Sequence, residues 1–322
     1  MLKLTSEIKI GKYKFKNIHT VEITRSLRSI IDRCTIIIPR KVQFNKQNIH
    51  LGSSGMLRRG MAVTVKLGYD DQLTEVFSGV LKHVGAGFPV RLECEGAETA
   101  LKLQQVKPRT FTSATLEDVI KYILPKGMTY QAVDVSLGEF RILTETTASQ
   151  VINAIVSKYA LPIFTRGSKI YAGTTAWEDI ITTHELAFGH NIIDHKLKYI
   201  REEDLLIKVK AVSILKDSKK VEATVGDENG DVRTIHFYNV SDKKKLEAQA
   251  RDILDELKYS GMQGTVTTFG EPFIQHGDAV KLTDTLDLIK EKEGTYRVEK
   301  VVTRFGIGHG YRQVISLGKK IG

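Results

Sequence analysis

The sequence predicts a mainly β protein with an α+β insertion: two similar antiparallel β-barrels and a small α/β domain between them. Alternating apolar strands bounded by glycine and proline fill the first hundred residues and return after about residue 180. Between those regions the apolar period shifts from two to that of a helix. Most informative, one stretch occurs twice. Residues 60–96 read Gly60-Met-Ala-Val63-Thr-Val65-Lys-Leu67, Val76-Phe77-Ser-Gly79-Val-Leu81 and Val90-Arg-Leu92-Glu-Cys94-Glu-Gly96. Residues 277–318 read Gly277-Asp-Ala-Val280-Lys-Leu282, Thr295-Tyr296-Arg-Val298-Glu-Lys-Val301 and Tyr311-Arg-Gln-Val314-Ile315-Ser-Leu317-Gly318. Each copy has a glycine turn, an alternating strand, a spacer, a second strand with an aromatic near its start, a turn and a third strand. One small β-module used twice makes a scaffold with two equivalent faces. The division that follows is a first barrel over 1–97, an α/β insertion over 98–178, and a second barrel with one packed helix over 179–322.

The elements follow in order. Ile8 and Ile10 precede a Gly11-Lys12 turn, and Tyr13, Phe15, Val21 and Ile23 share one parity. Cys34, Ile36 and Ile38 alternate up to Pro39, and Val63, Val65 and Leu67 up to Gly68. Residues 40–61, with Gly52-Ser-Ser-Gly55, read as a long basic loop. Leu116, Val119, Ile120, Ile123 and Leu124 form a helical stripe ended by Pro125. A second helix opens at Thr147 with Gln150 in the capping-box position and ends before Pro162. Ile163-Phe164 and Ile170-Tyr171 flank a turn at Arg166-Gly-Ser168. Beyond 200, strands at Leu205–Ala211, Val221–Val225 and Val232–Tyr238 precede a helix with Leu246, Ala250, Ile253, Leu254 and Leu257 on one face. Gly306-Ile-Gly-His-Gly310 lies between two strands, so a hairpin turn is expected there rather than a phosphate cradle.

Composition narrows the function. The chain has 322 residues, 41% hydrophobic and 27% charged, which suits a soluble protein of two or three domains. Met1–Ile10 has no signal-peptide core, and no apolar run reaches the ~18 residues of a membrane span, so a cytosolic protein without membrane insertion is expected. Cys34 and Cys94, each inside an apolar strand, read as buried thiols. Residues 1–110 hold 19 Lys/Arg and 9 Asp/Glu, whereas 111–322 hold 29 of each, so the whole net charge of +10 lies in the first third. It is densest where Arg25, Arg28, Arg33, Arg40, Lys41, Lys46, Arg58 and Arg59 face a single acid, Asp32. The residues expected to meet an acidic partner are Arg25, Arg28, Arg40, Lys41, Lys46, Arg58 and Arg59, and that partner is protein or nucleic acid.

Catalytic signatures are absent: there is no phosphate loop, nucleophile elbow or His-Glu-x-x-His. His184, His190 and His195, near Glu185 and Asp194, are the best metal candidate, but spacings of six and five in a loop-like stretch favour ordinary polar histidines. No cofactor, no metal and no enzymatic activity are expected. Aromatics are scattered, which gives no support for sequence-specific nucleic-acid reading.

The order of elements, Phe77-Ser-Gly79-Val-Leu81 in the first barrel, the helix Lys243–Lys258 and the run Gly264-Thr-Val266-Thr-Thr-Phe-Gly270-Glu-Pro272-Phe-Ile274-Gln-His-Gly277-Asp278-Ala-Val280 resemble one family. This is the phage late control protein D family, the baseplate hub proteins of contractile tails, related to the N-terminal part of type VI secretion spike proteins. The resemblance spans nearly the whole chain and implies tube-type barrels in a homotrimer of pseudo-six-fold symmetry. It implies as partners a hexameric tail tube protein, a three-fold central spike protein, other baseplate subunits and DNA passing through the lumen. The expected location is the tail baseplate or an equivalent injection particle, assembled in the bacterial cytoplasm. No spike repeat or lysozyme domain occurs up to residue 322, so the resemblance implies a hub separate from its spike. Two alternatives remain at this point. One is a non-specific nucleic-acid-binding barrel, resting on the basic first third; the other is a tail-associated cell-wall hydrolase, which needs a carboxylate pair that no spacing nominates.

Overall fold

A computed structural model describes the chain apart from residues 1, 2, 17, 40, 45, 46, 51–55, 88, 160, 174–180, 216–218, 239, 285–292 and 322. The first third is β. Its strands are β1 (Leu4–Ile10), β2 (Tyr13–Phe15), β3 (Thr20–Ser26), β4 (Arg33–Ile38), β5 (Lys41–Phe44), β6 (Gln47–His50), β7 (Ala62–Tyr69), β8 (Gln72–Val84) and β9 (Val90–Gly96). In space they run β2-β1-β7-β8-β9-β4-β3, antiparallel throughout. Strict alternation sends Ile8, Ile10, Val21, Ile23, Ile36, Ile38, Val63, Val65 and Leu67 into one core. Cys34 and Cys94 face each other across β4 and β9 as buried free thiols, and burial pushes the Cys34 thiol up. One expectation is corrected: β5 and β6 pair as a hairpin inside the supposed loop 40–61, with Val42 opposite Ile49. The short alternations Lys41-Val-Gln-Phe and Gln-Asn-Ile-His50 carry that signal.

The insertion comprises α1 (Ala100–Leu103), β10 (Gln105–Val106), β11 (Arg109–Thr115), α2 (Leu116–Ile123), β12 (Thr129–Ala132), β13 (Ser136–Ile142), β14 (Thr146–Thr147), α3 (Ala148–Tyr159), β15 (Ile163–Arg166) and β16 (Lys169–Ala172). Both longer helices start at capping boxes. Thr115 and Asp118 satisfy each other's backbone at α2, and Thr147 and Gln150 do so at α3. Leu116, Val119, Ile120, Ile123, Val151, Ile152 and Ile155 share one core, which Ile30 and Ile31 of the β3–β4 loop enter.

The last third holds β17 (Thr183–Phe188), β18 (Ile192–Ile200), β19 (Ile207–Ile214), β20 (Lys220–Gly226), β21 (Asp231–Tyr238), α4 (Lys243–Leu257), β22 (Gly261–Phe269), β23 (Ala279–Asp284), β24 (Gly294–Gly306) and β25 (Gly310–Lys320). Six of these close a barrel in the order β24-β23-β17-β18-β22-β25 and back to β24. It is antiparallel except that β17 runs parallel to β23 and meets β18 in parallel. Helix α4 does not pack on this barrel. Its Leu246 and Ala250 join Val209, Ala211, Ala223 and Val225 of the separate sheet β20-β19-β21, so residues 183–320 contain two cores.

The repeat is visible as two three-stranded meanders, β7-β8-β9 and β23-β24-β25. Gly60 and Gly277 precede them with φ of +87° and +82°, a conformation that favours glycine. Gly60 N donates to Leu81 O at 2.8 Å and Leu81 N returns to Met61 O at 2.8 Å; Gly277 N, Val298 and Asp278 O repeat this pattern with the same lengths.

Candidate functional site

Two features could serve a function: the basic residues of the first third and a buried polar junction where the three regions meet. The junction shows where one expected interaction residue went. Arg25 is only 6% exposed. It alternates with Val21 and Ile23 and therefore points inward, where Nε donates to Asp32 Oδ2 at 3.0 Å and Nη2 donates to the Val76 carbonyl. Its guanidinium also sits 5.3 Å from the centre of the Phe273 ring. Arg25 is thus a structural ion pair and not a surface contact. The signal was present in the sequence: Asp32 is the lone acid in the basic run, and a buried arginine needs a carboxylate.

The other basic residues divide. Arg28 is exposed and pairs with Glu299, and Arg58 and Arg59 are exposed side by side at the turn before β7. Lys41 opens β5, and its side chain lies outside the described set. Arg40 and Lys46 lie outside the described residues.

Around Arg25 the junction continues. Glu98, just after β9, is buried with Oε2 unpartnered. Burial and the neighbouring Asp32 charge push its carboxyl up to about 8, while burial, opposed by Arg25, lifts Asp32 to about 6. Of the two, Asp32 carries the Arg25 pairing that favours its charge, and burial holds the pair toward its protonated side. On the side of the second barrel, Arg166 at the end of β15 donates from Nε to His276 O at 2.9 Å and from Nη2 to Asp278 Oδ1 at 2.9 Å. Gln275 N donates to Asp278 Oδ2 at 2.8 Å, and His184 Nε2 lies 3.3 Å from the same oxygen. Burial pushes Asp278 up, but His184, Arg166 and the Gln275 N–H together outweigh it and hold the carboxyl below its ordinary value. His276 donates from Nε2 to Thr165 O at 2.8 Å, and burial drops its pKa to about 4, so the ring is neutral. Thr165 Oγ1 donates to Ile30 O at 2.6 Å, which ties the insertion to the first third as well.

This arrangement holds elements together and offers little for catalysis. Asp278 is saturated by structural partners, and among the described residues no serine, threonine or cysteine hydrogen-bonds to His184. Nor do three His, Cys, Asp or Glu side chains come together as a metal cluster among them; His184 turns to Asp278, and His195 packs edge-on against Phe188 at 5.2 Å. Asp278 and Arg166 were missed as site residues. The Gly277-Asp278 dipeptide was visible, but nothing local says that a turn arginine 112 residues earlier meets it.

With this geometry in hand, the chain can be set beside solved structures. A tail protein from Neisseria meningitidis MC58 superposes with a TM-score of 0.68 at 13% identity, covering 98% of this chain and 96% of that one. The 43 kDa tail protein of prophage MuSo2 from Shewanella oneidensis does so at 0.64 and 15%, with 98% of each chain covered. The fold is that of phage tail proteins. The same tail-protein fold extends to an E. coli type VI secretion component with structural similarity to the T4 tail proteins gp27 and gp5, at a TM-score of 0.59 and 10% identity, over 98% of this chain and 79% of that one. No protein-family model and no curated protein matches the sequence.

Proposed function

We propose that the chain is a non-enzymatic structural hub of a contractile injection machine such as a phage tail or tailocin. In this reading three copies form a ring in which two meanders per chain give six similar positions, seating a hexameric tube on one side and a three-fold spike on the other. The observation that carries it is the duplicated meander, with its matching Gly60/Leu81 and Gly277/Val298 backbone pairs, inside a fold shared end to end with tail proteins. The regions 1–97, 98–178 and 179–322 are the working units of this reading. Arg28, Arg40, Lys41, Lys46, Arg58 and Arg59 then face an acidic tube, spike or baseplate subunit, or DNA in the lumen. No helix among the described residues is long and apolar enough to cross a membrane.

Negative-stain electron microscopy of the purified protein tests the ring. Three-fold particles with six lobes are expected; single compact particles at the same concentration overturn self-assembly. Reversing Arg58 and Arg59 to glutamate is expected to weaken co-sedimentation with tail tubes, and unchanged co-sedimentation removes that role from the turn.

A further inference from the structure

The insertion carries a prepared cationic groove that the hub reading does not use. Arg109 opens β11, and its guanidinium carbon lies 4.6 Å from the ring centre of Phe111 and 4.7 Å from that of Tyr122. The two rings meet edge to face at 5.6 Å and 79°, and Tyr122 is anchored through its hydroxyl to Lys107 O at 3.2 Å. Stacking on two aromatics holds the arginine without using its donors. Among the described residues its guanidinium makes no hydrogen bond or ion pair. Lys107 and Lys121 are exposed nearby, and the acid of the groove, Asp118, is engaged by Thr115 in the helix cap. The groove beside these residues encloses about 520 Å³. Its wall is β11 itself, which among the described residues pairs with β13 alone and exposes Thr110, Thr112 and Ser113.

A strand paired on one side leaves alternate backbone N–H and C=O groups open on the other. We propose that this groove binds an extended acidic segment of a partner protein, which adds along the free edge of β11 and places a carboxylate on Arg109. The edge supplies main-chain hydrogen bonds and the held arginine supplies the choice of side chain. The ladder to β13 is regular over Arg109–Phe111 and bulged beyond, which confines the addition to a short stretch beside Arg109. A single-stranded nucleic acid fits less well. It needs free aromatic faces for its bases, and Arg109 already covers Phe111 and Tyr122. Because Arg109 is fixed before binding, little side-chain freedom is lost when the carboxylate arrives. The proposal rests on the insertion alone and is independent of ring assembly.

The test uses the full chain and a fluorescent peptide of alternating threonine and glutamate, followed by anisotropy. Saturable binding is expected, weakened at least tenfold by Arg109→Ala and about threefold by Lys121→Ala. The same peptide with alternate backbone amides N-methylated cannot pair as a strand and is expected to lose binding to the unaltered protein. That arm decides the matter even if Arg109→Ala fails to fold. No saturable binding overturns the proposal, as does binding indifferent to N-methylation or to Arg109→Ala. Displacement by inorganic phosphate or an oligonucleotide at lower concentrations than unlabelled peptide also overturns it, in favour of a phosphate site.

Discussion

The two meanders start from the same backbone and end in different places. In the first, the residue after the glycine is Met61, whose sulfur accepts from Arg58 N at 3.4 Å; in the second it is Asp278, which gathers Arg166, His184 and the Gln275 N–H. The second meander closes its own barrel through β22. Among the described residues the first does not close on itself: β9 continues through β4 to β3, and β3 pairs with residues 300–306 of β24. Bulges between Tyr296 and Lys300 mark where β24 exchanges β23 for β3 on one side while staying paired with β25 on the other. The overhanging hairpin sends Phe305 and Tyr311 into the first core, and Tyr69 donates to Tyr311 O at 3.0 Å. The same meander thus occurs twice in the scaffold, and differences at its margins join the two and dock the insertion between them. The docking clusters also differ in protonation. The first copy ends beside a carboxyl pair that burial pushes up, the second beside an aspartate that its partners hold below its ordinary value.

The sharpest way to break the comparison is at its point of divergence. Asp278→Ala leaves Arg166 in a largely buried site without its carboxylate and is expected to cost about 3–5 kcal/mol. Met61→Ala at the matching, half-buried position is expected to cost only about 1–2 kcal/mol. Urea titration of both variants checks this, and limited proteolysis should cut Asp278→Ala first near the insertion.

Next in size is a pH effect that above about pH 6.5 only the first copy should show. Glu98 binds its proton more tightly folded, near pH 8, than unfolded, near 4.5, so stability is greatest at low pH and falls as pH rises between those values. Asp32 acts in the same sense below about 6, and His276, depressed to about 4, acts oppositely below its unfolded value of 6.5. From pH 6.5 to 8 the Glu98 slope stands alone, worth about 1–2 kcal/mol at 1.36 kcal/mol per unit. Thermal melts across this range should decline for the wild type and flatten for Glu98→Gln.

The paired glycines give a finer contrast. Alanine at Gly60 meets no atom within 4 Å and is expected to cost about 1–2 kcal/mol for the left-handed backbone. Alanine at Gly277 brings a Cβ to 3.1 Å from Arg166 Nη2 and 3.4 Å from the Phe164 ring, so its loss should exceed that of Gly60→Ala by about 1 kcal/mol. Equal losses in chemical denaturation would mean that the two turns are equivalent after all. Smallest of all, Arg28→Ala removes an exposed ion pair to Glu299 and should melt within error of the wild type, although Arg28 lies three residues from the buried Arg25.

The sequence by itself determined the longer helices, the repeat and most strands, but not the hairpin β5–β6 or the strands β17 and β18, which it read as loop. Each is a local pattern: alternation at Val63, Val65 and Leu67, a 3.6-residue stripe at Leu116–Ile123, a capping box at Thr147, and glycine before each meander. It also made the basic first third legible, but not which of its cations reach solvent. Only the tertiary structure decided that Arg25 turns inward to Asp32, that Asp278 meets Arg166, that α4 packs on a sheet of its own and that one barrel closes while the other borrows β24. The physical reason is one of range. Alternation says that a strand has a buried face, but edge pairing and buried ion pairs depend on chain segments tens to hundreds of residues away. Which segments come together is set by closing sheets and pairing buried charges over the whole molecule at once.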